Sequence, residues 1–173
     1  MIDALLAFSK ATRDADPEEA APLRPVVRDV QEELAPLVAR LDVSVEVDEL
    51  PDVQLRCDRG LLHIVLANLC GNAVKYLEGR PERRVRLAAD TVGSTCRIEV
   101  RDTGPGIPRD AQAKIFEPFF RVQGTRAPGT GIGLATVRRI LDARGGRIAV
   151  ESVEGRGSRF TVWLPLASGP PSP

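Results

Sequence analysis

A single histidine, a single tyrosine and three scattered cysteines leave this 173-residue chain poor in the side chains that hold metals and close disulfides. Cys57, Cys70 and Cys96 are odd in number and show no C-x-x-C spacing, and one histidine cannot complete a four-ligand zinc site with them. They read as reduced packing thiols of a cytosolic domain. Net charge is also missing. Lys plus Arg and Asp plus Glu number 24 each, so no overall field draws the chain toward nucleic acid or an anionic membrane. No apolar run approaches the roughly 20 residues that cross a bilayer, and no signal peptide precedes Met1 and Ile2. The expectation is a cytoplasmic module without direct membrane contact, any anchor of a longer parent lying elsewhere.

Hydrophobic residues make up 43% of the chain, enough for a proper core at this length, with Trp163 and five phenylalanines as its few large anchors. A Pro/Ala/acidic linker, DADPEEAAP, occupies 14–22 and precedes a predicted helix over 24–41. VSVEVD and VQLRCD then read as strands around a turn near Pro51, and VRLAAD with CRIEVRD as a second strand pair. A short helix near 109–116, a loop over 121–130, a helix from Gly131 and two terminal strands follow. Strands gathered with helices on one face predict an α/β two-layer sandwich with a mixed sheet over 23–167. SGPPSP at 168–173 is expected to be disordered. The basic cluster RPERRVR at 80–86 is expected to begin an exposed strand.

The most informative segment is HIVLANLCGNAVKY. Apolar residues recur at helical spacing from about Leu61 to Leu77 without a turn signal. On that helix Asn68, Asn72, Lys75 and Tyr76 are related by i,i+3 and i,i+4 steps and share an arc of about 100°. Leu62, Leu66, Leu69, Ala73 and Leu77 lie opposite and face a core. A buried helix that presents two amides, an ammonium and a phenol on one side needs a polar ligand to satisfy them. By itself the segment could also be a polar edge in solvent.

Two glycine-rich segments follow. CRIEVRD runs into TGPGIP, where Gly104 and Gly106 let backbone pass close to a ligand. Asp102 stands at the strand's end, where a carboxylate can accept a hydrogen bond from an exocyclic amine such as that of adenine; a turn-capping role is its plainer alternative. Gly129, Gly131 and Gly133 open the helix LATVRRILDAR, whose unpaired N–H groups and dipole favour phosphate. A lone glycine triplet is weak evidence, but the three segments in this order describe a nucleotide site.

These residues resemble the ATP-binding catalytic domain of bacterial sensor histidine kinases. Its superfamily, with the Bergerat-type fold, also holds type II topoisomerase, heat-shock chaperone and mismatch-repair ATPase domains. Asn68 to Tyr76 resembles the family's asparagine box, Asp102 to Gly106 its first glycine box, Phe116 to Phe120 its phenylalanine box and Gly129 to Gly133 its second glycine box. The ending GGRIAVESVEGRGSRFTVWLP resembles the terminal hairpin, so the similarity runs from about Leu23 to Leu166. The resemblance implies ATP and Mg²⁺ as cofactors. Asn72 would coordinate the magnesium with Asn68 beside it, Lys75 would contact phosphate, Tyr76 would line the pocket and Asp102 would read adenine. Gly104, Gly106 and Ile107 would complete the base side. Phe116 and the loop residues Gly129, Thr130, Gly131, Gly133 and Leu134 would border the rest, with Arg121 and Arg126 approaching the terminal phosphates.

Position 68 bears on the reaction. Hydrolysing relatives carry a glutamate four residues before the magnesium asparagine; Asn68 is an amide with no basic lone pair, so water would be a poor nucleophile here. That suits transfer to an imidazole supplied by a separate helix. The chain lacks the family's H-E-x-x-x-P-like segment, and His63, followed by Ile64, reads as a helix residue near the core. MIDALLAFSKATRD resembles the end of the family's dimerising hairpin, so 1–13 would be a remnant of the phosphoacceptor region. The implied partners are a histidine-bearing dimerisation domain and a downstream response regulator. Residues 121–130 would be the mobile element over the nucleotide. A nucleotide-holding regulatory module without transfer activity, and a superfamily ATPase or serine kinase, remain as alternatives.

Overall fold

The computed structural model describes residues 19–122 and 129–167. The helix expected over 1–13, residues 14–18 of the linker, Arg126 with the centre of the 121–130 loop, and the tail at 168–173 lie outside the described residues.

A two-residue strand β1 (Ala21–Pro22) leads into α1 (Leu23–Leu41). Leu23, Val26, Val27 and Val30 fall at i, i+3, i+4 and i+7, and all four are buried. Pro25 in the first turn removes no hydrogen bond, because N–H groups there have no partner within the helix. The helix stops at Asp42, which takes the left-handed conformation (φ 50°) and donates its N–H to the Ala39 carbonyl. α2 (Arg59–Lys75) starts at Asp58, whose carboxylate accepts the Leu61 N–H at 3.0 Å. It packs between α1 and the later helix α3 (Gly133–Ala143), which explains why it buries Leu61, Leu62, Val65, Leu66, Leu69, Ala73 and Val74. Leu77 is fully buried as expected, but lies in the turn after the helix; its N–H bonds the Val74 carbonyl at 3.2 Å, tightening the final turn.

Five strands form one mixed sheet in the order β2 (Ser44–Val47), β4 (Arg84–Val92), β5 (Thr95–Asp102), β7 (Gly157–Pro165) and β6 (Arg147–Val153). β2 runs parallel to β4 and the other pairs are antiparallel. The expected pairing of VSVEVD with VQLRCD does not occur. Asp48 N–H bonds the Leu87 carbonyl, extending β2 along β4, while Leu50 drops into the core and its carbonyl accepts from Arg24 Nε at 2.8 Å. That leaves no hairpin register, and β3 (Gln54–Leu55) pairs with β1 instead. The helix expected at 109–116 shrinks to turns and one 3₁₀ turn, Lys114–Phe116, because Glu117 precedes Pro118 and is extended (φ −79°, ψ 140°). Arg84 and Arg86 are exposed on one face, yet β4 is an interior strand.

The pleat decides which side chains meet the helices. On β5, Cys96, Ile98, Val100 and Asp102 alternate inward. Their neighbours Arg97, Glu99 and Arg101 face the other way, in a layer of charge that includes the bidentate Arg86–Asp48 pair and the Arg97–Asp90 and Arg159–Glu151 pairs. Asp102 is therefore the last member of an otherwise apolar inward row, at the strand end that opens toward α2. The three cysteines are free and buried, and burial pushes the thiols of Cys57 and Cys70 up to about 12 and that of Cys96 up to about 11, so they pack as inert groups. At the far end of α3, Arg144 is 2% exposed and lies 3.1 Å from the Glu19 carboxylate, at the start of the described chain.

Candidate functional site

The polar edge of α2, the end of β5 and the start of α3 enclose a cavity of about 520 Å³, within the usual range for small-molecule sites. Asn68, Asn72, Lys75 and Tyr76 line it from α2, and Asp102, Gly106 and Ile107 from β5 and its loop. Arg121, Gly129, Thr130, Gly131, Gly133 and Leu134 line the opposite side. One helix edge and two glycine segments, distant in sequence, thus share a single concavity. A smaller cavity of about 180 Å³ between α1, α2 and β2 is lined almost entirely by aliphatic side chains and offers nothing to orient a charged ligand.

Asp102 is 6% exposed. Burial pushes its carboxyl up to about 6, against the backbone N–H groups of Gly104 and Ser158, which hold it down. At neutral pH it remains largely ionised and acceptor-only. Gly104 does not line the cavity; it donates its N–H to Asp102 Oδ1 at 2.8 Å, and a Cβ at 104 would stand 2.6 Å from that same oxygen. Glycine is required there so that backbone can brace the carboxylate. The loop beyond is tied down too: Ile107 N–H donates to Ser152 Oγ at 2.8 Å, and Gln112 Nε2 donates to the carbonyls of Ile107 and Ser152.

At the other end, Asn68 Nδ2 donates to the Ile64 carbonyl at 2.8 Å, which leaves Oδ1 directed at Gly133. A Cβ at 133 would collide with Asn68 Oδ1. The α2 amide and the first turn of α3 therefore touch only because residue 133 has no side chain. Arg121 is exposed and its Nη1 donates to the Gly129 carbonyl at 3.0 Å.

Phe116, like Gly104, is an expected site residue that does not line the cavity. It packs against the core with Arg138 of α3 over its ring at 5.7 Å, while Ile115 and Phe120 line the cavity instead. The 3₁₀ geometry turns the neighbouring Ile115 inward. Sequence reasoning also missed Glu78, Arg80, Glu154, Ser158 and Phe160, which line the Asp102 end. Alternation along β7 could have offered Ser158 and Phe160, since both share parity with the inward Val162 and Leu164. His63 is outside the cavity, half-buried, with Nε2 3.1 Å from Glu33 on α1. Among the described residues no cluster of three His, Cys, Asp or Glu side chains could hold a metal, and no helix is long and apolar enough to cross a membrane.

Residues 57–168 match the family model of histidine kinase-, DNA gyrase B- and HSP90-like ATPases. Sensor histidine kinase AtsR of Burkholderia thailandensis is 41% identical over 161 residues, covering 88% of this chain and 26% of AtsR. Sensor histidine kinase RcsC of Escherichia coli K12 is 36% identical over 176 residues, covering 96% of this chain and 18% of RcsC. The chain thus spans about a quarter or less of these relatives. Full-length ShkA in complex with AMPPNP superposes with a TM-score of 0.80 at 32% identity, over 97% of this chain and 35% of that one. The nucleotide-free catalytic domain of histidine kinase ThkA gives 0.71 at 29% identity, over 84% of this chain and 93% of that domain. Fold, cavity and sequence agree, and the chain belongs to the family of histidine kinase-, DNA gyrase B- and HSP90-like ATPases, as an ATPase domain of the sensor histidine kinase type.

Proposed function

We propose that the cavity binds Mg-ATP and that the chain passes the γ-phosphoryl group to a histidine on a separate dimerisation domain, from which a response regulator takes it, in the cytoplasm. The observation that carries this reading is the polarity of the cavity: a buried acceptor-only carboxylate at one end, and amides, an ammonium and the glycine-rich start of α3 at the other. An adenine amine suits the first end and phosphates suit the second.

The donor set fits magnesium. The cation takes oxygen ligands and keeps several waters, so two amide oxygens with phosphate suffice where the described residues form no metal-holding carboxylate cluster. Asn72 would hold it with Asn68 beside it, and the ion would neutralise phosphate charge when bound. Lys75 adds a positive charge on the same edge of α2. Arg121 would stabilise charge on the transferring group, with Arg126 joining from outside the described residues. In the transfer an imidazole nitrogen attacks the γ-phosphorus, the bond to the β–γ bridging oxygen breaks, and ADP departs with that electron pair. Asn68 offers no general base, so water is not activated and ATP persists until the imidazole arrives.

Calorimetric titration with Mg-ATP, run beside Asp102→Ala and followed by analysis of the recovered nucleotide, tests this. Binding abolished by the substitution, with ATP recovered intact, supports a kinase domain. Rapid hydrolysis points to an ATPase instead, and absence of binding by the unaltered chain overturns the reading.

A further inference from the structure

The helices cover the main sheet unevenly. In the parallel pairing of β2 with β4, Val45 lies beside Val85 and Val47 beside Leu87, so all four share one face of the sheet. Val85 and Leu87 are buried, at 2% and 3% exposure, whereas Val45 is 36% exposed and Val47 half-buried. The difference lies in the cover and not in the direction of the side chains. α1 packs on α2, where a Cβ at Gly71 would lie 3.8 Å from Leu34 Cδ2. That leaves the edge strand β2 incompletely covered.

The space so left is the cavity of about 180 Å³. Leu34 and Val38 line it from α1, Val45 and Val47 from β2, and Cys70, which is 8% exposed, from α2. α2 separates it from the larger cavity: Leu66, Cys70 and Val74, at i, i+4 and i+8, face this space, and Asn68 and Asn72 face the other. No residue lines both.

The chemistry of the walls limits the occupant. Among the described residues that line the space none is charged, and Gln31 alone carries an amide. An ordered water needs two to four polar partners, so water gains little here. A charged ligand would lose hydration without replacement. A protein partner fits poorly too, because a specific interface usually buries about 800 Å² on each side. Of the large hydrophobic side chains that stand strongly exposed among the described residues, Val45 alone belongs to this region. The apolar surface therefore lies inside the gap and not around its mouth. A native core ordinarily fills a void of this size, and apolar cavities of about this volume take up benzene-sized molecules.

We infer that the gap between α1, α2 and β2 is a second binding site, for a neutral apolar molecule of about six to eight non-hydrogen atoms, an aromatic ring or a short aliphatic chain.

The test uses the full chain with toluene as the probe, read by methyl NMR and thermal melting. With about 5 mM toluene and a dissociation constant on the order of 1 mM, the methyl signals of Leu34, Val38, Val45 and Val47 should shift, and melting should rise by about 2–4 °C. Benzoate, with a carboxylate in place of the methyl group, should do neither. Cys70→Leu, which adds bulk inside the gap, should abolish both responses. Absence of any response to toluene, an equal response to benzoate, or shifts confined to Ile107, Ile115 and Leu134, which line the larger cavity, overturns the inference. So does a well-folded Cys70→Leu chain that responds like the unaltered one. Added bulk can strain a packed site, so if Cys70→Leu melts early the exposed Val45→Asp takes its place. It should weaken toluene about fivefold or more, and unchanged affinity overturns the site.

Discussion

At the Asp102 end of the cavity the recognition groups are braced from behind, by Gly104 and Ser158 on the carboxylate and by Ser152 and Gln112 on the loop beyond it, whereas the opposite wall is built from exposed backbone. Gly129, Thr130 and Arg121 are exposed, with one Arg121–Gly129 bond across them, and Phe119 is 73% exposed in the left-handed region (φ 65°), its N–H on the Gly131 carbonyl at 3.0 Å. A base is a fixed, neutral, planar target and rewards a rigid reader, even one whose charge is unwelcome in the empty protein. A phosphoryl group in transit needs donors that strengthen as charge develops, and these can come from the rim.

That contrast breaks most visibly at Arg121. Arg121→Ala should slow phosphoryl transfer to an added histidine-bearing domain by about 1000-fold while leaving ATP affinity within about threefold, measured by radiolabel transfer and calorimetry. Equal losses in both would place Arg121 in ground-state binding. Asp102→Asn should do the reverse to the base end, weakening ATP about 100-fold, because the Gly104 N–H claims the amide oxygen and the amide nitrogen meets the adenine amine. The same variant should melt later than the unaltered chain at pH 7. Unfolded, the carboxyl titrates near 3.8; folded, near 6, so between these values the folded state holds more protons and stability falls as pH rises. The difference is worth about 3 kcal/mol at neutral pH. ATP affinity runs with opposite sign, rising with pH through about 6, and a variant that neither melts later nor loses this pH dependence would show that Asp102 is not the titrating reader.

Gly133→Ala tests where the two walls meet. The added Cβ must displace the Asn68 side chain, and ATP affinity should fall about tenfold; Asn68→Ala in the same chain vacates the space, so the pair should be non-additive in melting temperature. Phe116→Ala is the smallest effect on function. With its ring against the core and Arg138 rather than the cavity, it should cost about 1–2 kcal/mol of stability and change ATP affinity less than twofold. A larger loss of affinity would return Phe116 to the site.

What could be foreseen was local. The polar edge of α2 follows from i,i+3 and i,i+4 spacing alone, and the position of Asp102 from strand alternation, so both are legible in the sequence itself. Arg80 was visible only as part of a basic cluster, because its place at the cavity wall, beside Gly155 75 residues later, is one that no periodicity brings near. The pairing of β2 failed for a similar reason: a turn signal at Pro51 predicts a hairpin, but burying Leu50 and extending the ladder along β4 outweighs it. Phe116 came from the resemblance to the family's phenylalanine box, which does not settle which side chains of 116–120 face the cavity; Phe120 of that segment and the neighbouring Ile115 line it.

The Glu19–Arg144 pair ties the end of α3 to a residue upstream of α1. The family match covers 57–168, yet Arg144 within it is almost wholly enclosed and its carboxylate neighbour lies 38 residues before that match begins. A fragment trimmed to the matched region would keep the residues that line the cavity but remove the Glu19 carboxylate from beside Arg144 and uncover the α2 surface that Val26, Val27 and Val30 shield. Expressing, swapping or fusing this domain therefore calls for keeping Glu19 and α1, upstream of the region the family model matches.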